Sequence, residues 1–129
     1  MKRILLLIAF TLVVLSGCSN SDESINFSGE SENWKVTYLL KNLGDGVRES
    51  SGTIEYIGEE SKPEEVTFQF FYKKDQESFG GSRTLNEDGS YAEFDSTTCT
   101  TCVMYAEDDE IPGVIEWDEQ KESLVLTSN

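Results

Sequence analysis

Val66, Phe68, Phe70 and Tyr72 alternate with Thr67, Gln69 and Lys73, and this period of two constrains the fold more than any other feature. Successive side chains of an extended strand point to opposite faces, so the run makes one apolar face and one wet one. The pattern recurs at Trp34, Val36, Tyr38 and Leu40, opposed by Lys35, Thr37 and Lys41. Further strands are expected over 53–57, 80–85, 90–94, 114–117 and 123–127. Between them lie turn residues: Asn42 to Gly46, Gly58 to Pro63, an Asp-Gly hairpin turn at Asn86-Glu87-Asp88-Gly89, and a four-residue hairpin loop from Asp118 to Lys121. No window carries a helical stripe, and Thr, Tyr, Phe and Val favour a pleated, half-buried surface. The expectation is an all-β protein, an antiparallel β-sandwich with Ig-like architecture and about seven or eight strands. The Cys…Trp…Cys spacing of antibody domains is absent, so the likeness is one of architecture.

The beginning of the chain has a different logic. Lys2 and Arg3 precede an apolar run from Ile4 to Leu15, which ends in Ser16-Gly17-Cys18. A basic head, an apolar stretch of about a dozen residues and small residues before a cut form a secretory signal, too short to span a membrane comfortably. With Cys18 directly after Ser16-Gly17, the segment resembles the bacterial lipobox. That resemblance implies a diacylglyceryl group on Cys18, cleavage between Gly17 and Cys18, and a lipid anchor on the extracytoplasmic face of the cell membrane. The alternative is an ordinary signal peptide cut elsewhere, with Cys18 an incidental thiol. The expected organisation is a signal peptide over 1–17, a lipidated cysteine with a flexible polar tether over 18–33, and a β-sandwich domain over 34–129. Ser, Asn, Asp and Glu dominate the tether. Ile25 and Phe27 sit two apart and could instead begin an edge strand.

Once Lys2 and Arg3 are removed, eight basic residues face 25 acidic ones, a net charge of −17. Nucleic acid and anionic lipid carry the same sign and are disfavoured as partners; a basic envelope protein, a cationic peptide or a divalent cation is permitted. The sequence contains no histidine. Ser-His-Asp and Cys-His nucleophile activation and His-ligated zinc are thereby excluded. Gly44-Asp45-Gly46 and Gly80-Gly81 lack the spacing of a phosphate loop and read as turns. No cofactor and no enzymatic activity are expected.

Gly29-Glu30-Ser31-Glu32-Asn33-Trp34 and Ile115-Glu116-Trp117, taken with the lipobox, resemble a group of small Firmicutes (Bacillus-type) lipoproteins. Those proteins carry a Gly-Glu-Ser-x-Asn-Trp segment near the start and an Ile-Glu-Trp hairpin near the end. The resemblance implies a β-sandwich on a lipid anchor and carries no catalytic residue across.

Cys99-Thr100-Thr101-Cys102 is the remaining motif with chemistry in it. Its readings are a structural disulfide, a redox pair, half a metal site, or free thiols. No helix is expected after Cys102, which weakens the thioredoxin-like reading, and Met104 is the only other soft ligand nearby. Bridging Cys99 to Cys102 requires the chain to turn, because three extended steps separate Cα atoms by roughly 10 Å where a disulfide wants about 4.4–6.8 Å. Glu107-Asp108-Asp109-Glu110, and Asn86, Asp88 and Ser90, offer oxygen ligands for Ca²⁺ but lack a complete calcium-loop pattern, so solvated loop acid is the simpler reading. Trp34, Trp117, Phe70 and Tyr72 form either an aromatic ligand face or part of the core. The expected function is a membrane-anchored, extracytoplasmic binding or interaction module; the alternative is a thiol–disulfide protein using Cys99 and Cys102.

Overall fold

The computed structural model describes residues 23–72, 77–87, 91–100 and 105–128. Its eight strands are β1 (Glu23–Glu30), β2 (Trp34–Gly44), β3 (Val47–Tyr56), β4 (Glu65–Tyr72), β5 (Glu77–Thr84), β6 (Tyr91–Cys99), β7 (Ile111–Trp117) and β8 (Gln120–Ser128). All pair antiparallel, in the order β5-β4-β7-β8-β1-β2-β3-β6. The all-β, antiparallel expectation holds, with eight strands.

The sheet divides into two four-stranded layers, β5-β4-β7-β8 and β1-β2-β3-β6, with the core between them. A short ladder, Phe27 opposite Ser128 and Ser28 opposite Thr127, joins the layers at β1–β8. At the far side the two edge strands, β5 and β6, lie close together without forming a described ladder. The result is one sheet curled nearly into a barrel, whose closeness leaves its edges less open to pairing with other chains.

The alternation seen in the sequence decides which side chains go inside. Val66, Phe68, Phe70 and Tyr72 of β4 and Trp34, Val36, Tyr38 and Leu40 of β2 are all buried. Phe79 reaches across from β5, stacking on Tyr38 at 4.2 Å and on Phe70 at 5.3 Å between ring centroids. Phe94 of β6 joins this aromatic seam, 4.7 Å from Phe68. Rings contributed by both layers interlock the sandwich. The candidate aromatic ligand face is therefore core: Trp34, Trp117, Phe70 and Tyr72 are 0, 6, 0 and 2% exposed.

Three expectations need correction. Residues 23–30 are not tether but β1, an interior strand paired with β2 on one side and β8 on the other. Polar composition pointed to coil, yet Phe27, fully buried, and Ile25, partly buried against the core, face inward and secure the strand. The ordered domain thus includes Glu23, ahead of the expected start at residue 34. Second, the segments around Asn86-Glu87-Asp88-Gly89 do not form a hairpin: β5 pairs with β4 and β6 with β3. The connection passes from one layer to the other, because Phe79 and Phe94 fill the core from opposite sides. Positions 88–90 lie outside the described residues. Third, the last turn is shorter than four residues. Trp117 pairs with Gln120, leaving Asp118-Glu119 as a two-residue loop, and Lys121 belongs to β8.

That turn is strained. Asp118 and Glu119 have φ of 41° and 64°, the left-handed pair that a type I′ hairpin requires and that Asn-Gly supplies most readily. The corresponding β2–β3 turn uses Asp45-Gly46, with φ of 55° and 77°. Replacing Asp118-Glu119 with Asn-Gly is expected to raise stability by about 0.5–1 kcal/mol. A thermal-unfolding midpoint unchanged or lowered by that double substitution would contradict this reading.

Candidate functional site

The two outer faces differ in what they offer a ligand. On β1-β2-β3-β6, charges of opposite sign face one another: Lys35 lies between Glu30 and Glu55, and Lys41 is opposite Glu49. Such a surface is well suited to solvent. The outer face of β5-β4-β7-β8 combines a neutral cross-strand row, Gly80–Gln69–Val114–Ser123, with a charged one in which Glu116 stands opposite Lys121. Phe71 and Val125 are exposed on this face at 45 and 46%. On a domain with so large an acidic excess, an uncharged and partly apolar strip stands apart from its surroundings.

A groove of about 740 Å³ runs across this strip, lined chiefly by Phe71, Gln69, Thr67, Val114, Ser78 and Gly80. Backbone geometry helps create it. Gly80 and Gly81 have φ of 153° and 149°, and a Cβ on Gly80 would collide with the Phe68 carbonyl oxygen. Glycine alone allows β5 to lie this tightly on β4 while leaving an open floor. Polar groups on the floor are oriented by one another: the Thr67 and Ser82 hydroxyls are 2.8 Å apart, and Gln69 Nε2 donates to Ser78 Oγ at 3.5 Å.

At one end the groove meets a second cavity of about 560 Å³, sharing Thr67, Glu116 and Lys121 with it. Glu65, Asp118 and Glu119 complete its acidic lining, against Lys121 as the cationic residue. Lys121 Nζ lies 3.9 Å from Glu116 Oε1, both side chains well exposed, so water and salt weaken the pair. The strained Asp118-Glu119 turn fixes two of these carboxylates at the groove end, a place where backbone strain marks a candidate functional feature. The whole site is apolar at the Phe71 end and anionic at the hairpin end. Sequence reasoning missed it: β4's outer face and the β7–β8 turn are distant in the chain. The signals available beforehand were Phe71, an apolar residue on the wet face of its strand, and the glycine pair.

The segments 29–34 and 115–117 meet behind this end of the molecule. Glu122 accepts from Ser31 Oγ at 2.5 Å, from Asn33 N at 3.0 Å and from Asn33 Nδ2 at 2.5 Å. Trp34 packs edge-on against Trp117 at 5.3 Å and Tyr56 at 5.1 Å, while Ile57 N donates to Asn33 O at 2.8 Å. The motif residues thus form a structural clasp between β1–β2 and the last hairpin. Burial pushes the Glu122 carboxyl up, but the hydrogen bonds from Ser31 and Asn33 outweigh it and hold the group below its ordinary value. The Tyr56 hydroxyl is raised, first by burial and then by the negative charges of Glu60, Glu122 and Asp118.

Other candidate residues fall as follows. Asp109 turns inward, accepting from Tyr72 Oη at 2.7 Å and Ala106 N at 2.6 Å, so it closes its loop; Glu107, Asp108 and Glu110 are largely solvated. Among the described residues no three His, Cys, Asp or Glu side chains converge as metal ligands. Cys99 ends β6, half-buried, with Arg48 of β3 as its cross-strand neighbour. Arg48 is buried, its guanidinium 5.2 Å from the Tyr105 ring centre. Cys102 and Cys18, and with them the proposed bridge and the lipobox, lie outside the described residues. Comparison with family models, curated proteins and solved structures finds no match for this chain.

Proposed function

We propose that the protein is a lipid-anchored, extracytoplasmic binding module of the cell envelope, held to the membrane through Cys18, with the β5-β4-β7-β8 groove as its binding face. The observation that carries the binding role is the trough of mainly neutral and apolar residues that continues through Glu116 and Lys121 into the carboxylates at the β7–β8 turn. A basic envelope protein or cationic peptide matches that charge, whereas nucleic acid does not. Placement on the membrane follows from the lipobox-like sequence: two acyl chains hold a polar protein stably without spanning.

Photo-crosslinking in the intact anchored protein tests both halves. A photoreactive residue replacing Gln69, on the groove floor, is expected to give adducts with an envelope component that one replacing Lys35, on the opposite layer, does not. Equal labelling from both positions would remove the groove from consideration. Fatty-acid labelling should mark the wild type and not Cys18→Ala; an unlabelled wild type would remove the anchor.

The second reading of the Cys99-x-x-Cys102 motif is a thiol–disulfide pair; Arg48 pairs with Cys99 across β3–β6, and its guanidinium lies over the Tyr105 ring. A structural Cys99–Cys102 disulfide and a redox pair separate by mass spectrometry of unreduced, alkylated protein taken from the envelope. Full bridging in every sample supports the structural role, and a mixture that tracks the thiol poise of the medium supports the redox one.

A further inference from the structure

We propose that the groove recognises an extended protein segment with an apolar side chain and basic side chains four to six residues apart. This rests on the groove being the binding face and adds the chemistry and spacing of its occupant.

The spacing comes from β4 itself. Phe71 is the exposed apolar anchor at one end of the groove. Thr67, four residues back, stands opposite Glu116, and Glu65, six residues back, lines the acidic cavity. Four to six strand steps span roughly 13–20 Å. A ligand lying extended along the groove repeats the same rise per residue, so its own anchor and its cations must be separated by the same number of positions. Basic residues adjacent to the apolar one would fall on Gln69 and Val114, where no carboxylate meets them.

Charge complementarity selects a cationic segment over other occupants. The carboxylates of Glu65, Glu116, Asp118 and Glu119 face Lys121 as the cation of this end. A second copy of the chain would bring like charge to like, and a neutral glycan would leave these carboxylates unused. The hydroxyls and amide on the floor, those of Thr67, Ser78, Ser82 and Gln69, are available to the backbone of an extended segment.

The test uses the full chain and two labelled synthetic peptides of equal composition in a Ser/Thr background, each with one Phe and two Arg. In one the arginines stand at four and six residues from the Phe, in the other at one and two. Fluorescence anisotropy is expected to show the spaced peptide binding about tenfold tighter, the order of effect for one well-seated anchor. Phe71→Ser should weaken the spaced peptide about tenfold while leaving its salt dependence. Glu116→Gln with Asp118→Asn should flatten that salt dependence, as exposed attraction is screened beyond about 8 Å at physiological ionic strength. All three positions are exposed, and near-UV circular dichroism verifies that the variants keep the fold. Equal affinity for the two peptides, both weakened by Phe71→Ser, overturns the spacing and leaves the groove standing as the binding face. Peptide binding that neither variant alters overturns the groove as well. Failure of both peptides, with Phe71-dependent binding of a neutral oligosaccharide or Phe71-dependent self-association, overturns the cationic segment in favour of those occupants.

Discussion

A chain shortened to begin at Trp34 is expected not to fold, although everything before Trp34 has the composition of a linker. β1 is the strand through which the two layers are joined: it pairs with β2 along eight positions from Glu23 to Glu30 and with β8 at Phe27 and Ser28. Removing it opens the curled sheet at its joint and exposes two strand edges where there were none. Its inward residue, Phe27, has no exposed surface and lies edge-on to Tyr105 at 5.9 Å. Phe27→Ala alone should cost about 3–5 kcal/mol, the usual range for emptying a buried phenylalanine site, out of a total of about 5–15 kcal/mol for a domain of this kind. Chemical denaturation of the full chain, the shortened chain and Phe27→Ala decides this. Cooperative unfolding of the shortened chain at an unchanged midpoint would return residues 23–33 to the role of tether.

Glu122→Ala is expected to destabilise the protein by about 2 kcal/mol, because it strands three donors on Ser31 and Asn33 that the carboxylate now satisfies. The loss should be pH-dependent, and its sign follows from the direction of the shift. The folded Glu122 carboxyl titrates below its unfolded value. Its contribution is therefore fully present above the unfolded pKa and disappears as pH falls through the folded one. Wild type and Glu122→Gln should thus converge in stability in the acidic range below the ordinary glutamate pKa and diverge toward neutrality, with the wild type more stable. Urea unfolding across that range provides the measurement, and parallel stability curves for the two proteins would refute the clasp. Because Trp34 and Trp117 pack beside this clasp, tryptophan fluorescence should report its loosening before global unfolding.

The acidic run at 107–110 shows how a composition-level reading divides once the fold is known. Four consecutive acids suggest either a calcium loop or a solvated turn. Asp109 does neither, since the buried Tyr72 hydroxyl requires an acceptor and the loop places Asp109 within reach. The same division applies to the polar segment 29–34, where Ser31 and Asn33 form a hydrogen-bonded clasp with Glu122.

Local pattern was enough to specify the all-β class, the inward faces of β2 and β4 and a turn within Asn42 to Gly46, because each depends on residues a few positions apart. What local pattern could not supply were relations between distant segments. Whether Ile25 and Phe27 belong to a tether or a strand depends on a vacancy between β2 and β8, which lie about a hundred residues apart in the chain at their far ends. Whether 80–85 and 90–94 pair with each other depends on which layer of the core Phe79 and Phe94 enter from. The groove is the most remote from sequence of all: four strands must align in register before Phe71, Gly80, Glu116 and Asp118 share one face. Side-chain periodicity is a property of one strand, and so sequence alone determined the strands' inward faces; register and layer order are properties of many strands packed together, and only the tertiary structure decided them.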